Sequence, residues 1–216
     1  MKEKTPGEMV EWAISAAGFE GLNPQSRERL EAYAREVGSW SEKMHLVGRG
    51  RLAGNLELLV LDSLLLLRAA EGGGLLVGKI ADIGSGAGFP GVVWSIARPE
   101  LDVTFFERRL KPQLFLERVV ARLGLDRARV IGDDASRFRE PASFDVAVSK
   151  AAGRLAVILP IADLLLRPEG VYITIKGRAW RSEVPGRRRT AMRLQSAVEL
   201  GGKRGTAIIF RKRQIL

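Results

Sequence analysis

The 216 residues carry 35 Lys and Arg against 25 Asp and Glu, a formal net charge of +10, with 46% hydrophobic residues, no cysteine and one histidine. This composition suits one sizeable core plus an appendage; it excludes disulfides, thiolate chemistry and cysteine-ligated zinc, and no metal is expected. The positive balance points to a polyanionic partner, since each lysine or arginine placed on a phosphate releases counterions; a merely basic surface is the alternative.

In chain order, the segment Met1 to Trp12 has no apolar run of signal-peptide length, so a cytoplasmic location is expected. Asn23 followed by Pro24 reads as a helix cap with proline in the first turn, and Leu30, Tyr33, Ala34 and Val37 recur at helical spacing up to Trp40. His45 reads as a packing or surface residue. A second, more buried helix is predicted over 55–70, with Leu58, Leu59 and Leu61 in the core. Its apolar stretch is broken by Glu57 and Asp62 and falls short of the ~20 residues that span a bilayer, so no membrane association is expected. Gly72, Gly73 and Gly74 mark a seam between an N-terminal helical cap, 1–74, and a main domain, 75–216.

Beyond Lys79, short β-rich runs alternate with helical runs, which implies βαβ units and a parallel sheet. The last two β-like runs, RLQSAVEL and TAIIFRK, are joined by a glycine-rich turn with no helix between them, so they form a hairpin that adds an antiparallel strand. The expected architecture is α/β: a doubly wound, mostly parallel seven-stranded, Rossmann-like sheet.

The strand KIADI runs into Asp82-Ile83-Gly84-Ser85-Gly86-Ala87-Gly88-Phe89-Pro90-Gly91, followed by a helical run. A glycine-rich turn at a strand's carboxyl end lets backbone approach a ligand and aims helix amides at it. Gly86, Gly88 and Gly91 alone would also satisfy a dinucleotide fingerprint. Asp82 favours S-adenosylmethionine over a nicotinamide cofactor, because an acid there can hold a cationic methionine end. Glu107, closing the next strand, stands where an acid accepts from a ribose diol, with pairing to Arg108 or Lys111 as the alternative. Asp133 to Ser136, after the third strand, is placed to meet an adenine edge, unless Asp133 simply caps a helix.

The phrase DIGSGAGFPG resembles the glucose-inhibited division protein B family, bacterial methyltransferases acting on guanine N7 in small-subunit ribosomal RNA. The likeness continues through Arg98-Pro99-Glu100, Glu107, Lys111, Phe115-Leu116, Ser149-Lys150-Ala151 and Ile175-Lys176-Gly177, with Leu61-Asp62-Ser63 upstream. The resemblance implies a class I methyltransferase fold and S-adenosylmethionine as cofactor, with Gly84, Phe89, Ala135, Ser136 and Lys150 in cofactor-contacting places; Asp82, Gly86, Gly88 and Glu107 join them from the reading of the glycine turn and strand end above. Its implied partner is small-subunit ribosomal RNA or the small ribosomal subunit, met by a monomer. Departures are local: Leu58 and Leu59 stand where the family has Arg-His, His45 to Gly48 replaces its N-L-T, Asp133 to Ser136 replaces G-R-A-E, Lys150 replaces an arginine, and Gly205 stands at a usual histidine.

Guanine N7 has a free lone pair, so this chemistry needs placement and charge tolerance rather than a general base. Lys150 is the candidate catalytic residue, positioning the cofactor or the guanine O6. Lys176, Arg178, Trp180, Arg181, Arg187 and Arg188 form a candidate RNA clamp, with Trp180 stacking on an unpaired base; a solvated basic loop with Trp180 in the core is the alternative. Other readings are methylation of another RNA or a small molecule, and a cofactor-binding RNA-binding protein without turnover. A nicotinamide-dependent dehydrogenase shares the glycine pattern but lacks an obvious hydride-transfer acid or base.

Overall fold

The computed structural model describes residues 4–44, 52–76, 78–186, 190–200 and 204–213. Three helices come first: α1 (Pro6–Ala17), α2 (Pro24–Met44) and α3 (Leu52–Gly72). Helix α1, which the sequence reading missed, starts at a reciprocal capping box. Thr5 accepts from the Glu8 N–H and the Glu8 carboxylate accepts from the Thr5 N–H, with Pro6 in the first turn. Helix α2 begins where expected, its Ser26 N–H donating to Asn23 Oδ1 at 2.8 Å, and runs past Trp40 to Met44. Helix α3 extends the expected 55–70 at both ends. Leu61 is buried as predicted, but Leu58 is exposed and Leu59 only partly covered. Helical rotation turns Leu58 away from the face that Leu61 and Leu64 bury.

The remainder alternates β1 (Lys79–Ile83), α4 (Gly91–Ala97), β2 (Asp102–Phe106), α5 (Leu110–Leu123), β3 (Ala128–Ile131), β4 (Phe144–Lys150), α6 (Leu155–Leu165) and β5 (Leu166–Lys176), and ends in the hairpin β6 (Met192–Glu199) and β7 (Thr206–Lys212). The sheet order is β3-β2-β1-β4-β5-β7-β6. The first five strands pair in parallel, and β7 lies antiparallel between β5 and β6. The seven-stranded, mostly parallel expectation holds. The winding reverses between β1 and β4, and in open α/β sheets ligands bind outside the strands' carboxyl ends at such a switch point.

One face of the sheet shares a core with α1 to α5; the other packs on α6 around Phe106, Phe144 and Leu159. Polar contacts stitch α2 and α3 to α4 and the glycine loop: Ser26 Oγ donates to the Ile96 carbonyl (2.8 Å), Trp94 Nε1 to the Ser63 carbonyl (2.9 Å) and the Tyr33 hydroxyl to the Ala87 carbonyl (2.6 Å). Each satisfies a buried donor that would otherwise cost about 1–3 kcal/mol. Among the described residues, no helix is long and apolar enough to cross a membrane.

Candidate functional site

The carboxyl ends of β1, β2, β3 and β4 open into a cavity of about 370 Å³. Its walls are Ile83 and Gly84 from the β1 turn, Phe106 to Arg109 from β2, Asp133 to Ala135 after β3, Ala151 and Ala152 after β4, and Val157, Ile158 and Ile161 from α6. Acidic groups and backbone line one side and apolar side chains the other, which suits a sugar joined to a planar base.

Glu107 is the best-held group in this wall. Only 3% of its surface is exposed, and both carboxylate oxygens are occupied. Oε2 accepts from the Gly86 N–H (2.9 Å) and Arg109 Nη2 (3.2 Å); Oε1 accepts from the Arg109 N–H (2.9 Å) and Nε (3.0 Å). Burial opposes the charge, yet the hydrogen bonds and charge of Arg109 and the Gly86 amide hold the carboxyl below its ordinary range. The partner is therefore Arg109, neither Arg108 nor Lys111. Gly86 sits at φ 57, with only open approaches around a notional Cβ, so glycine serves backbone shape here, leaving the N–H pointed at Glu107.

Asp82 departs from its expected place. It is fully buried and absent from the cavity wall; its Oδ2 accepts from the Gly91 N–H at 2.9 Å, and Oδ1 has no partner. Burial pushes its carboxyl up to about 7, against the pull of the Gly91 amide and with help from the Glu107 charge. Asp82 thus braces the start of α4 beneath the loop, and its side chain does not line the cavity. Phe89 is likewise a core residue, its ring 5.1 Å from that of Tyr33. Gly88 answers to packing: at φ 97, an added Cβ would stand 2.5 Å from Val92 Cγ2 and 3.0 Å from the Tyr33 hydroxyl.

After β3, Asp134 rather than Asp133 is the cap: its Oδ1 accepts from the Ser136 N–H (3.0 Å) and hydroxyl (2.8 Å) at the head of the short turn Ala135–Arg137. Ala135 lies on the cavity wall; Ser136 faces its cap instead.

Lys150 ends β4 beside the wall residues Ala151 and Ala152, and Ala151 takes φ 58 to turn the chain there, a conformation that costs an L residue about 1–2 kcal/mol. The Lys150 ammonium lies 2.8 Å from Asp62 Oδ2 on α3. The sequence reading singled out Lys150 but not its partner; the one available signal was an acid inside an otherwise apolar helical run.

The predicted clamp divides. Arg178 and Arg181 are exposed, and among the described residues neither has an ion pair. Trp180 is only 2% exposed and packs in the α6 core with Arg181 across its ring, so it cannot stack on a base in this conformation. Lys176 is engaged by Glu183 (3.1 Å) and the Gly153 carbonyl, tying β5 to the turn after β4. Arg187 and Arg188, like His45, lie outside the described residues.

The donors and acceptors present fit S-adenosylmethionine. A carboxylate for a ribose diol and an apolar slot for a base line one cleft, and Lys150 stands next to its wall residue Ala151, with its ammonium on Asp62.

Residues 26–205 match the family model described as rRNA small subunit methyltransferase G. A ribosomal RNA small subunit methyltransferase G from Sorangium cellulosum is 34% identical over 197 residues, covering 87% of this chain and 81% of the relative. A namesake from Methylobacillus flagellatus is 30% identical over 175 residues, covering 81% and 82%. Among solved structures, a mutant of MtNAS in complex with S-adenosylmethionine superposes with a TM-score of 0.59 at 18% identity, covering 96% of this chain and 89% of that one, a likeness of fold.

Proposed function

Because the chain belongs to the rRNA small subunit methyltransferase G family, we propose that it transfers a methyl group from S-adenosylmethionine to N7 of a guanine in small-subunit ribosomal RNA. It is an S-adenosylmethionine-dependent methyltransferase; the target atom and the roles of individual residues are our reading. The observation that carries the residue assignment is the buried Glu107 carboxylate, presented across the glycine loop at the carboxyl end of β2.

Bound in the cleft, S-adenosylmethionine supplies an electrophilic methyl on a sulfonium. Glu107 would accept from the ribose hydroxyls, taking them in place of the Arg109 guanidinium, whose side chain is two-thirds exposed. Gly84 and Ala135 would let the ligand approach their backbone, with Gly86 holding Glu107 through its N–H, and Val157, Ile158 and Ile161 would cover the base. Asp82 and Gly88 hold the loop's shape from below. Lys150 anchors the cofactor's carboxylate where β4 ends. Guanine N7 carries a free lone pair, so no side chain need remove a proton; the residues would contribute in-line placement and exclusion of water. Arg178 and Arg181 bind RNA phosphates at the rim, as Arg187 and Arg188 do in this reading. Residues 1–74 form a cap on a catalytic domain of 75–216, and the enzyme works as a monomer in the cytoplasm.

The test is transfer of labelled methyl to small ribosomal subunits and to free RNA lacking the modification, with mapping of the product. One guanine labelled at N7 is expected. Glu107→Gln, which loses charge-assisted hydrogen bonds, should weaken cofactor binding by about 10- to 100-fold. Tight cofactor binding with no label on either RNA would move the activity to another substrate or to binding without turnover.

A further inference from the structure

Lys150 and Asp62 come from different layers of the molecule, the end of β4 and the middle of cap helix α3, yet they meet at 2.8 Å with side chains only 15% and 11% exposed. Withdrawing two ions this far from water costs several kcal/mol each, and their attraction offsets that only in good geometry; apolar residues of similar size often stabilise as well or better. An aspartate kept among Leu61, Leu64, Leu66 and Leu67 on this helix is a poor device for stability alone.

Its placement is tightly fixed. The next residue, Ser63, bonds back to its own helix through Oγ to the Leu59 carbonyl (2.7 Å), and its carbonyl receives Trp94 Nε1 (2.9 Å), locking this turn of α3 onto α4. Asp62 Oδ1 is buried with no partner, so the carboxylate's ion pair with Lys150 is the contact its position serves. Burial pulls the Lys150 ammonium below the ordinary lysine range, and Asp62 resists that pull by its charge and its hydrogen bond; it is the one charged group acting on Lys150 among the described residues.

We propose that Asp62 is a positioning residue for methyl transfer, a cap side chain that fixes the Lys150 ammonium at the carboxyl end of β4 so that cap and cofactor cleft form a single site. The proposal rests on reading Lys150 as a cofactor contact. Asp62 acts through that lysine: its Oδ2 is on the Lys150 ammonium, its Oδ1 is buried, and it is not among the residues lining the cavity.

The experiment uses the full chain and S-adenosylhomocysteine as the probe. Four variants are compared with the parent, Asp62→Asn, Asp62→Glu, Lys150→Met and the double variant Asp62→Asn with Lys150→Met, after thermal melts identify those that fold. Nuclear magnetic resonance follows the titration of the Lys150 amine, and calorimetry gives the probe's affinity at pH 6.5 and pH 9. With Asp62→Asn the lysine should titrate at lower pH than in the parent, and affinity should fall by about tenfold at pH 9 but less at pH 6.5, where the amine keeps its proton. Asp62→Glu, which keeps the charge on a longer arm, should leave the titration near the parent's and cost about threefold at both pH values. The double variant should bind no worse than Lys150→Met alone.

An unmoved lysine titration in Asp62→Asn overturns the proposal whatever Lys150 does, as does a loss that adds in full to that of Lys150→Met. If the titration moves but Lys150→Met binds the probe like the parent, the cofactor reading of Lys150 fails, and Asp62's link to the reaction fails with it. Should Asp62→Asn not fold, Asp62→Glu carries the test, and parent-like affinity there overturns the proposal.

Discussion

On the β1–β2 side of the cleft backbone amides reach each buried acid, the Gly86 and Arg109 N–H groups on Glu107, beside the Arg109 guanidinium, and the Gly91 N–H on Asp82. On the β4–β5 side long side chains do it: Lys150 reaches Asp62, Lys176 reaches Glu183, and Glu183 in turn accepts from the Leu155 N–H at 3.0 Å. The first arrangement is held by a loop that packing leaves little room to change, since a Cβ at Gly91 would fall 2.5 Å from Asp82 Oδ2 and 2.6 Å from Phe105. The second is held by ion pairs, one joining segments remote in sequence (Lys150 with Asp62) and one local to the end of β5 (Lys176 with Glu183), and its apparent RNA-binding cations are partly engaged within the fold. A basic count alone therefore overstates the charge this rim offers to RNA.

The contrast breaks most sharply at Trp180. If the rim is anchored by packing, Trp180→Ala should destabilise the protein by about 3–5 kcal/mol, as for other buried aromatic truncations. RNA affinity measured well below the lowered melting temperature should stay near that of the parent. A variant that melts normally but loses RNA binding would put the indole back in solvent, and denaturant unfolding together with an RNA titration separates the two results.

Legibility in the sequence followed the same division. The sheet, its closing hairpin and the glycine turn were readable because period-two runs, helical periodicity and glycine spacing are local signals. Helix α1 was missed although its box, Thr5 with Glu8 three residues on and Pro6 between, was equally local. Glu107 could be placed at the end of its strand, but its partner Arg109 could not be told from Arg108 or Lys111, because that choice depends on side-chain direction. Asp82 and Phe89 belong to the glycine-loop motif, yet neither side chain lines the cavity: adjacency to a ligand loop does not distinguish a contact from a brace. Asp62 was invisible as a partner of Lys150 because only the folded sheet brings α3 beside the end of β4.

A medium-sized effect tests the brace assigned to Asp82. Its folded carboxyl titrates at about 7 against an ordinary 3.8, so the native state holds a proton that the unfolded chain has lost between those values. Stability from this group is fully present below the lower value and is lost as pH rises through the upper one. Asp82→Asn keeps an acceptor for the Gly91 N–H and removes the titration. Between pH 4.5 and pH 6.5, the variant's stability relative to the parent should therefore rise by up to about 1.4 kcal/mol per pH unit. A constant difference across that range would mean that Asp82 stays ionised in the fold, held by a positive group that the brace reading does not include.

The smallest expected effect belongs to Arg178 and Arg181, and it sharpens the comparison because, among the described residues of the predicted clamp, they are the exposed cations left once Lys176 is assigned to Glu183. Removing an arginine that binds a phosphate weakens RNA binding much the same for every sequence, and lowers the salt dependence by about one counterion for each phosphate set free. Arg178→Ala and Arg181→Ala should each cost a few-fold in RNA affinity at low salt and flatten the plot of log affinity against log salt by about 0.7–0.9, the slope for a single-stranded or duplex phosphate. Cofactor affinity should not move. Arg181 also lies over the Trp180 ring, 4.6 Å from its centroid, an interaction worth about 0.5–1 kcal/mol at an exposed site, so Arg181→Ala should lower the melting temperature slightly where Arg178→Ala does not. An Arg181→Ala variant that loses stability but keeps the parent's salt slope would make that arginine a cover for the core, leaving Arg178 as the phosphate-binding residue of this described segment.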